Sequence, residues 1–177
     1  MVIVIFGHVG SGKSTIAKEL GKRLDAEVLN SDVVRKQLAG IEPTQRASDD
    51  FEKGIYTKEF TERVYSYLVD EALRLATSGK TVIVDATFRS ERHRRMLEEV
   101  CSKASVPVRF FYIDVPEYII KQRLEEREKR GDVSDANWDV YLRMRDAFDP
   151  PVGAVRIDGN REVQEIVDEI IELLEGG

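Results

Sequence analysis

The chain opens MVIVIFGHVGSGKST, Met1 to Thr15. Val2–Phe6 is an unbroken apolar run with four β-branched residues, the pattern of a strand covered on both faces. Behind it come Gly7, Gly10 and Gly12, then Lys13 and Ser14, in the spacing G-x-x-x-x-G-K-S. Ile16, Ala17, Leu20 and Leu24 then recur at helical spacing. A glycine-rich turn between strand and helix lets successive N–H groups converge on anionic oxygens, and the helix adds its positive end. Lys13 is then placed for the β- and γ-phosphates and the Ser14 hydroxyl for Mg²⁺. Thr15 is placed to help hold the α-phosphate. The segment Gly7, His8, Val9, Gly10, Ser11, Gly12, Lys13, Ser14 and Thr15 is therefore expected to bind ATP with Mg²⁺. His8 reads as a permissive spacer within it, since acid–base work needs a positioned partner and the sequence identifies none.

Working outward, strands and helices alternate. AEVLN (Ala26–Asn30) is a short strand, and SDVVRKQL a helix with Ser31 as its N-cap. AGIEPTQRASDD is a loop broken by Gly40 and Pro43. A long helix follows with Thr57 as cap, Phe60, Val64, Leu68, Ala72, Leu75 and Ala76 on its buried side, and Gly79 at its end. KTVIVDATF is a buried strand with Asp85 just past its end, and Met96, Leu97, Val100 and Cys101 stripe the next helix. VPVRFFYIDV is a strand, Pro116 restarts a helix, and DVSDANWDVYLRMRDAFDPP is a polar stretch. AVRIDGN and REVQEIVDEIIELLE close the chain as strand and helix. About five strands alternating with helices predict a three-layer α/β fold, a parallel sheet with helices on both faces. With no linker or repeat, residues 1–177 read as one domain.

The 177 residues carry a net charge of −6 and a pI near 5.1, which offers no general attraction to nucleic acid or to an anionic membrane. The single cysteine, Cys101, excludes an internal disulfide. The opening apolar run is too short for a signal peptide or a membrane span. These features predict a cytoplasmic protein.

The chain lacks the N-K-x-D of guanine-specific switches and the L-S-G-G-Q of transporter ATPases, and Ala86 follows Asp85 where motor ATPases place glutamate. The remainder suits a kinase. Asp32, expected beside the first strand's loop, can hold an acceptor hydroxyl, and Arg35, one turn on, can grip a polar or anionic group. The same pair also suits a capped helix start with an exposed i, i+3 ion pair. Asp85 near the triphosphate suits Mg²⁺. Thr87 and Arg89 are placed for acceptor or phosphate, and Ser90 for a helix cap. Arg123, Arg127 and Arg130 share a helix face, which fits either a lid over the triphosphate or a helix laced by pairs such as Glu126–Arg130. Gly131 and the polar stretch after it favour a hinged lid over about residues 120–140. ERHRRM reads as a solvated basic face, Cys101 as inert core, and Trp138 as an anchor of the lid segment.

Taken together, GHVGSGKS, NSDVVRKQL, GIYTKEFTERVY, VIVDATF, QRLEEREKRGDVSDA and VRIDGN resemble the small P-loop kinases of the AAA-domain-like type over nearly the full length. Relatives of that group include the kinase half of polynucleotide 5′-hydroxyl kinases, gluconate-kinase-like enzymes and zeta toxins. The resemblance implies an ATP-dependent phosphotransferase with Lys13 and Ser14 at the Walker A positions and Asp85 as the Walker B acid. Asp32 would be the acceptor-side base, Arg35 the acceptor-binding arginine, and Arg123 and Arg127 the lid arginines. The backbone around Gly159, in Asp158–Asn160, would lie against adenine. The short acidic chain shows neither a phosphatase or ligase module nor a basic groove, so a nucleic-acid partner is not favoured. The expected acceptor is a hydroxyl on a small molecule or nucleoside-like compound. Polynucleotide 5′-hydroxyl phosphorylation and a slowly hydrolysing regulatory module are the alternatives.

Overall fold

β1 (Val2–Phe6) is buried along its whole length. Val2, Val4 and Phe6 face one core cluster, and Ile3 and Ile5 face the other. Covering on both sides is the reason its sequence shows no polar alternation. The computed structural model describes residues 1–42, 54–131 and 136–177. Within them, β1 is the centre of a five-stranded, all-parallel sheet with β2 (Glu27–Asn30), β3 (Val82–Ala86), β4 (Val108–Asp114) and β5 (Val155–Asp158). The strand order is β2-β3-β1-β4-β5. Apolar residues of α2 (Ser31–Leu38), α3 (Lys58–Thr77) and α4 (Glu91–Lys103) cover one face. Those of α1 (Lys13–Leu24), α5 (Glu117–Lys129) and α7 (Val163–Glu175) cover the other, joined by Tyr141 of α6 (Trp138–Asp146).

The alternation and most boundaries follow the sequence reading, as does the Thr57 cap, whose hydroxyl accepts from Phe60 N at 3.2 Å. Four local expectations are corrected. β2 does not lie beside β1, because β3 intervenes. Ser31 is the first residue of α2, and Asn30 is the N-cap, its side chain accepting from Val33 N at 3.0 Å. The polar stretch after Gly131 contains α6, capped by Asn137, which accepts from Val140 N at 2.9 Å. Only Tyr141 and Met144 of that nine-residue helix are buried, so its apolar periodicity is too sparse to read. Finally, ERHRRM is not a solvated face, since His93 and Arg94 are buried. The Pro43 breaker and the hinge expected just after Gly131 lie outside the described residues.

Candidate active site

The glycine loop runs from the end of β1 into α1. Gly12 is the N-cap of α1 with φ 85, a left-handed conformation that side chains with a Cβ resist. The first turn of α1 holds no acidic residue, so its positive end stays available to an anion. Gly7 has no room for a side chain: a Cβ there would lie 2.8 Å from the Ile113 carbonyl oxygen. Lys13 and Ser14 start the helix, with Thr15 one residue on. The Ser11 hydroxyl is buried without a partner among the described residues.

α5 brings an arginine against this loop, a placement that the spacing alone left open. Arg123 donates from Nη1 to the Ser11 carbonyl at 3.1 Å and from Nη2 to the Gly159 carbonyl at 3.3 Å. Burial lowers its pKa, and the charge of Arg127 adds to that. Gly159 is tied by its N–H to Asp114 O at 2.8 Å. A Cβ on Gly159 would meet Ile113 and Val115 methyls at 2.6 Å. Arg123 thus bridges the glycine loop and the Asp158–Asn160 backbone.

Asp85 lies within β3, in register with Ile5 on one side and Asn30 on the other. Its Oδ2 accepts from the Asn30 amide at 2.7 Å, while Oδ1 is buried with no hydrogen-bond partner among the described residues. Burial raises its pKa and Asp32 adds to the rise; Lys13, Ser14 and Asn30 act in the opposite direction. An unpartnered buried carboxylate oxygen costs about 1–3 kcal/mol or more. A hard cation would relieve it, and the Ser14 hydroxyl is close enough to influence the group. The donor set therefore fits Mg²⁺. Among the described residues no cluster of three or more His, Cys, Asp or Glu side chains exists, so phosphate and water oxygens would complete the coordination.

A cavity of about 530 Å³ opens beside the loop. Asp32, Arg35, Thr87 and Arg89, all expected on the acceptor side, line it together. Val9, expected on the nucleotide, lines the same cavity. The exposed ion-pair alternative for Arg35 fails, because that side chain is buried. Its Nη1 donates to Ile55 O at 2.7 Å and Thr61 Oγ1 at 3.0 Å, and its guanidinium lies 4.9 Å from the Tyr56 ring centre. Arg35 therefore braces the 3₁₀ turn Gly54–Tyr56 against α3.

The Thr87–Arg89 turn is held under strain. Phe88 is fully buried with φ 41, a conformation that costs a bulky residue about 1–3 kcal/mol and persists only where the surroundings dictate it. Here its N–H donates to the Tyr65 hydroxyl at 3.1 Å, and its carbonyl accepts from Arg94 Nη1 at 2.6 Å. Arg94 also donates from Nη2 to Pro150 O at 2.7 Å. Ser90 occupies the N-cap of α4 without a side-chain bond; Asp149 Oδ2 accepts from Glu91 N at 2.8 Å in its place. Beside Tyr65, His93 stacks at 4.2 Å with its Nε2 2.9 Å from Glu62 Oε1, and Arg92 pairs with the same carboxylate. Sequence reasoning missed Glu62, Tyr65, His93, Arg94 and Asp149. One signal existed: His93 and Arg94 fall three to eight residues before Leu97 and Cys101, on the apolar stripe of α4.

His8 is no free spacer. Its ring centre lies 4.2 Å from Phe148 and 5.5 Å from Tyr141. Burial, then the Lys13 charge, lowers its pKa to about 4 from 6.5. The unfolded chain therefore protonates this imidazole near pH 6.5 and the folded chain only near 4. Its contribution favours unfolding increasingly across that window, reaching about 3 kcal/mol by pH 4. Urea unfolding at pH 7 and pH 4.5 should show His8→Gln losing less stability on acidification than the parent. Equal losses would refute the assignment.

A central strand feeding a glycine loop, with a buried carboxylate on the adjacent strand, is the architecture of the small P-loop kinases. The chain belongs to the AAA-domain family, whose profile, described as "AAA domain", matches residues 2–151. It is 27% identical over 201 residues to a thymidylate kinase of Leptospira interrogans, covering 97% of this chain and 93% of that one. An uncharacterized protein of Mycobacterium tuberculosis is 24% identical over 141 residues, which cover 80% of this chain. The match spans 28% of that mycobacterial relative's length. Among solved structures, the APS kinase of Mycobacterium tuberculosis in complex with AMPPNP and APS superposes with a TM-score of 0.74 at 22% identity, covering 98% of this chain and 96% of that one. Among the described residues, no helix is long and apolar enough to cross a membrane.

Proposed function

We propose that the protein is a kinase that transfers the γ-phosphoryl group of ATP, bound with Mg²⁺, to a hydroxyl of a small-molecule or nucleoside-like acceptor. The observation that carries this reading is Asp32, which lines the cavity beside the glycine loop and stands close enough to Asp85 to raise its pKa. Asp32 holds the acceptor hydroxyl. As the acceptor oxygen bonds to the γ-phosphorus, the bond to the β–γ bridging oxygen breaks and the hydroxyl proton passes to the Asp32 carboxylate. Because such transition states are loose, orientation matters more than the basicity of this group. Lys13 and the N–H groups at the start of α1 gather charge on the β- and γ-phosphates. Ser14 and Asp85 would hold Mg²⁺, which would supply further neutralisation of the developing charge.

Arg123 serves the nucleoside end, between the Ser11 and Gly159 carbonyls, with Arg127 one turn on in α5 and near enough to add to its field. Thr87 and Arg89 contact the acceptor, while Arg35 keeps the wall formed by Tyr56 in place. Val140, Met144 and Ala147 add an apolar side to a cavity otherwise rich in charge. That mixture favours an acceptor with both an apolar and a polar face over a long polyanion. The AMPPNP and APS of the mycobacterial APS kinase complex support one nucleotide and one acceptor on this fold. The net charge of −6 and the single cysteine support a cytoplasmic setting without nucleic acid.

The test incubates the full chain with MgATP labelled at the γ-phosphate and panels of nucleosides, aromatic alcohols, sugars and sugar acids. At least one panel should raise ADP release about tenfold above background, with label recovered on the added alcohol. ADP release that no panel changes, with label only in inorganic phosphate, favours slow hydrolysis and overturns transfer.

A further inference from the structure

His8 belongs to the glycine loop, yet its ring is seated against Phe148 and Tyr141, whose chain neighbours Ala147, Asp149 and Val140 line the acceptor cavity. Phe148 lies 4.2 Å away at an interplanar angle of 35°, and Tyr141 meets it at 5.5 Å and 61°. The imidazole Nδ1 is buried with no hydrogen-bond partner among the described residues. Ring contacts, and no polar bond at Nδ1, account for its seat. Its low pKa keeps the ring neutral near pH 7, which suits an apolar contact.

What lies beyond Phe148 gives the contact its consequence. The next residue, Asp149, donates its N–H to Arg89 O at 2.8 Å and accepts Glu91 N on Oδ2 at 2.8 Å. Phe148 is therefore one residue from a segment stitched to both ends of the Arg89–Glu91 turn. That turn is the continuation of the strained Phe88, and Arg89 lines the acceptor cavity. The second contact leads to the same place: Tyr141 belongs to α6, whose Val140 and Met144 also line the cavity. A shift of the loop backbone at Gly7–Val9 must move the His8 ring, and close-packed rings pass such a shift to their neighbours.

We infer that His8 is a positioning residue for the acceptor side: through Phe148 and Tyr141 it couples the conformation of the nucleotide loop to the Arg89–Glu91 turn and to α6. The inference rests on the reading that the loop binds MgATP. It assigns to a loop position, normally concerned with phosphate alone, a part in ordering the second site after the first is filled.

The chain's single tryptophan gives a direct readout. Trp138 stacks on Tyr141 at 5.0 Å and 16°, so its emission reports on α6. MgAMPPNP is titrated into the full chain by calorimetry, by Trp138 emission and by amide hydrogen exchange of the peptide covering residues 86–92. In the parent, emission changes saturably with the calorimetric Kd, and exchange in 86–92 slows. In His8→Ala, with MgAMPPNP at saturation, both responses should fall about fivefold or more. His8→Phe, which keeps a ring in the same seat, should restore at least about half of each response. Phe148→Ala, cut from the opposite side, should reproduce the loss and serves if His8→Ala does not fold. Unchanged responses in His8→Ala or Phe148→Ala, or a parent that binds nucleotide without either response, overturn the role of His8 alone. Absence of binding heat in the parent overturns the nucleotide reading on which it stands.

Discussion

Replacing Asp32 by alanine is expected to lower phosphoryl transfer by about 10²–10⁴-fold, the usual span for a positioned proton acceptor. MgATP affinity should stay within about threefold. The split follows from where the residue stands. Asp32 is the second residue of α2, two positions beyond Asn30, whose amide holds Asp85. It lines the cavity beside the glycine loop, and the strand before it, β2, pairs with β3 and not with β1. Its removal should thus spare the phosphate cradle. Single-turnover transfer measured alongside nucleotide binding checks the claim. A variant that keeps transfer, or that loses ATP binding in the same proportion, removes Asp32 from the acceptor role.

Asp85→Asn is expected to have two opposite effects. Turnover should fall by about 10²-fold or more, because the neutral amide no longer offers the cation a charged oxygen. The nucleotide-free protein should meanwhile become more stable, by about 1–2 kcal/mol, since a buried charge with one unpartnered oxygen has been removed. The sign follows from the raised pKa of this carboxyl. A group whose folded pKa lies above its unfolded value weakens the fold once pH exceeds the unfolded pKa, and that penalty is relieved as pH falls. At pH 7 in chelator, the variant's Tm should therefore exceed the parent's, and the difference should shrink on acidification. A Tm lowered at every pH would mean that Asp85 is a structural acid, and the proposed cation site would lose its basis.

The two experiments separate function from folding in a way the site itself suggests. Asp85 and Phe88 each hold an unfavourable local state within four residues of one another, a buried carboxyl oxygen without a hydrogen-bond partner among the described residues and a left-handed aromatic. Both are over-determined by neighbours from other elements, Asn30 on β2 in one case, Tyr65 and Arg94 in the other. Such concentrations of strain are typical of ligand-holding turns in otherwise regular folds.

Much of this protein is legible in its sequence because the signals are local. The run Val2–Phe6 declares a doubly covered strand, and the spacing from Gly7 to Ser14 declares an anion-binding turn, because each depends on residues within one turn or strand of one another. The same holds for the Thr57 cap, whereas the spacing of the α5 arginines left open whether one of them faces the loop. Other features depend on where distant segments meet. The insertion of β3 between β1 and β2 is a choice among pairings that all satisfy the same hydrophobic pattern. Asn30, the cap in place of Ser31, also holds a second partner 55 residues away through its amide. Asp149 caps α4 from 58 residues on, and Arg94 is buried because three carbonyls from two loops await it. Composition and spacing thus determined the layers, the nucleotide loop and the placement of its lysine and serine. The shape of the cavity beside the glycine loop, and the partners that hold His8, Arg35 and Phe88, were decided by tertiary packing, since hydrogen-bond satisfaction across the chain leaves no periodic trace in the order of residues.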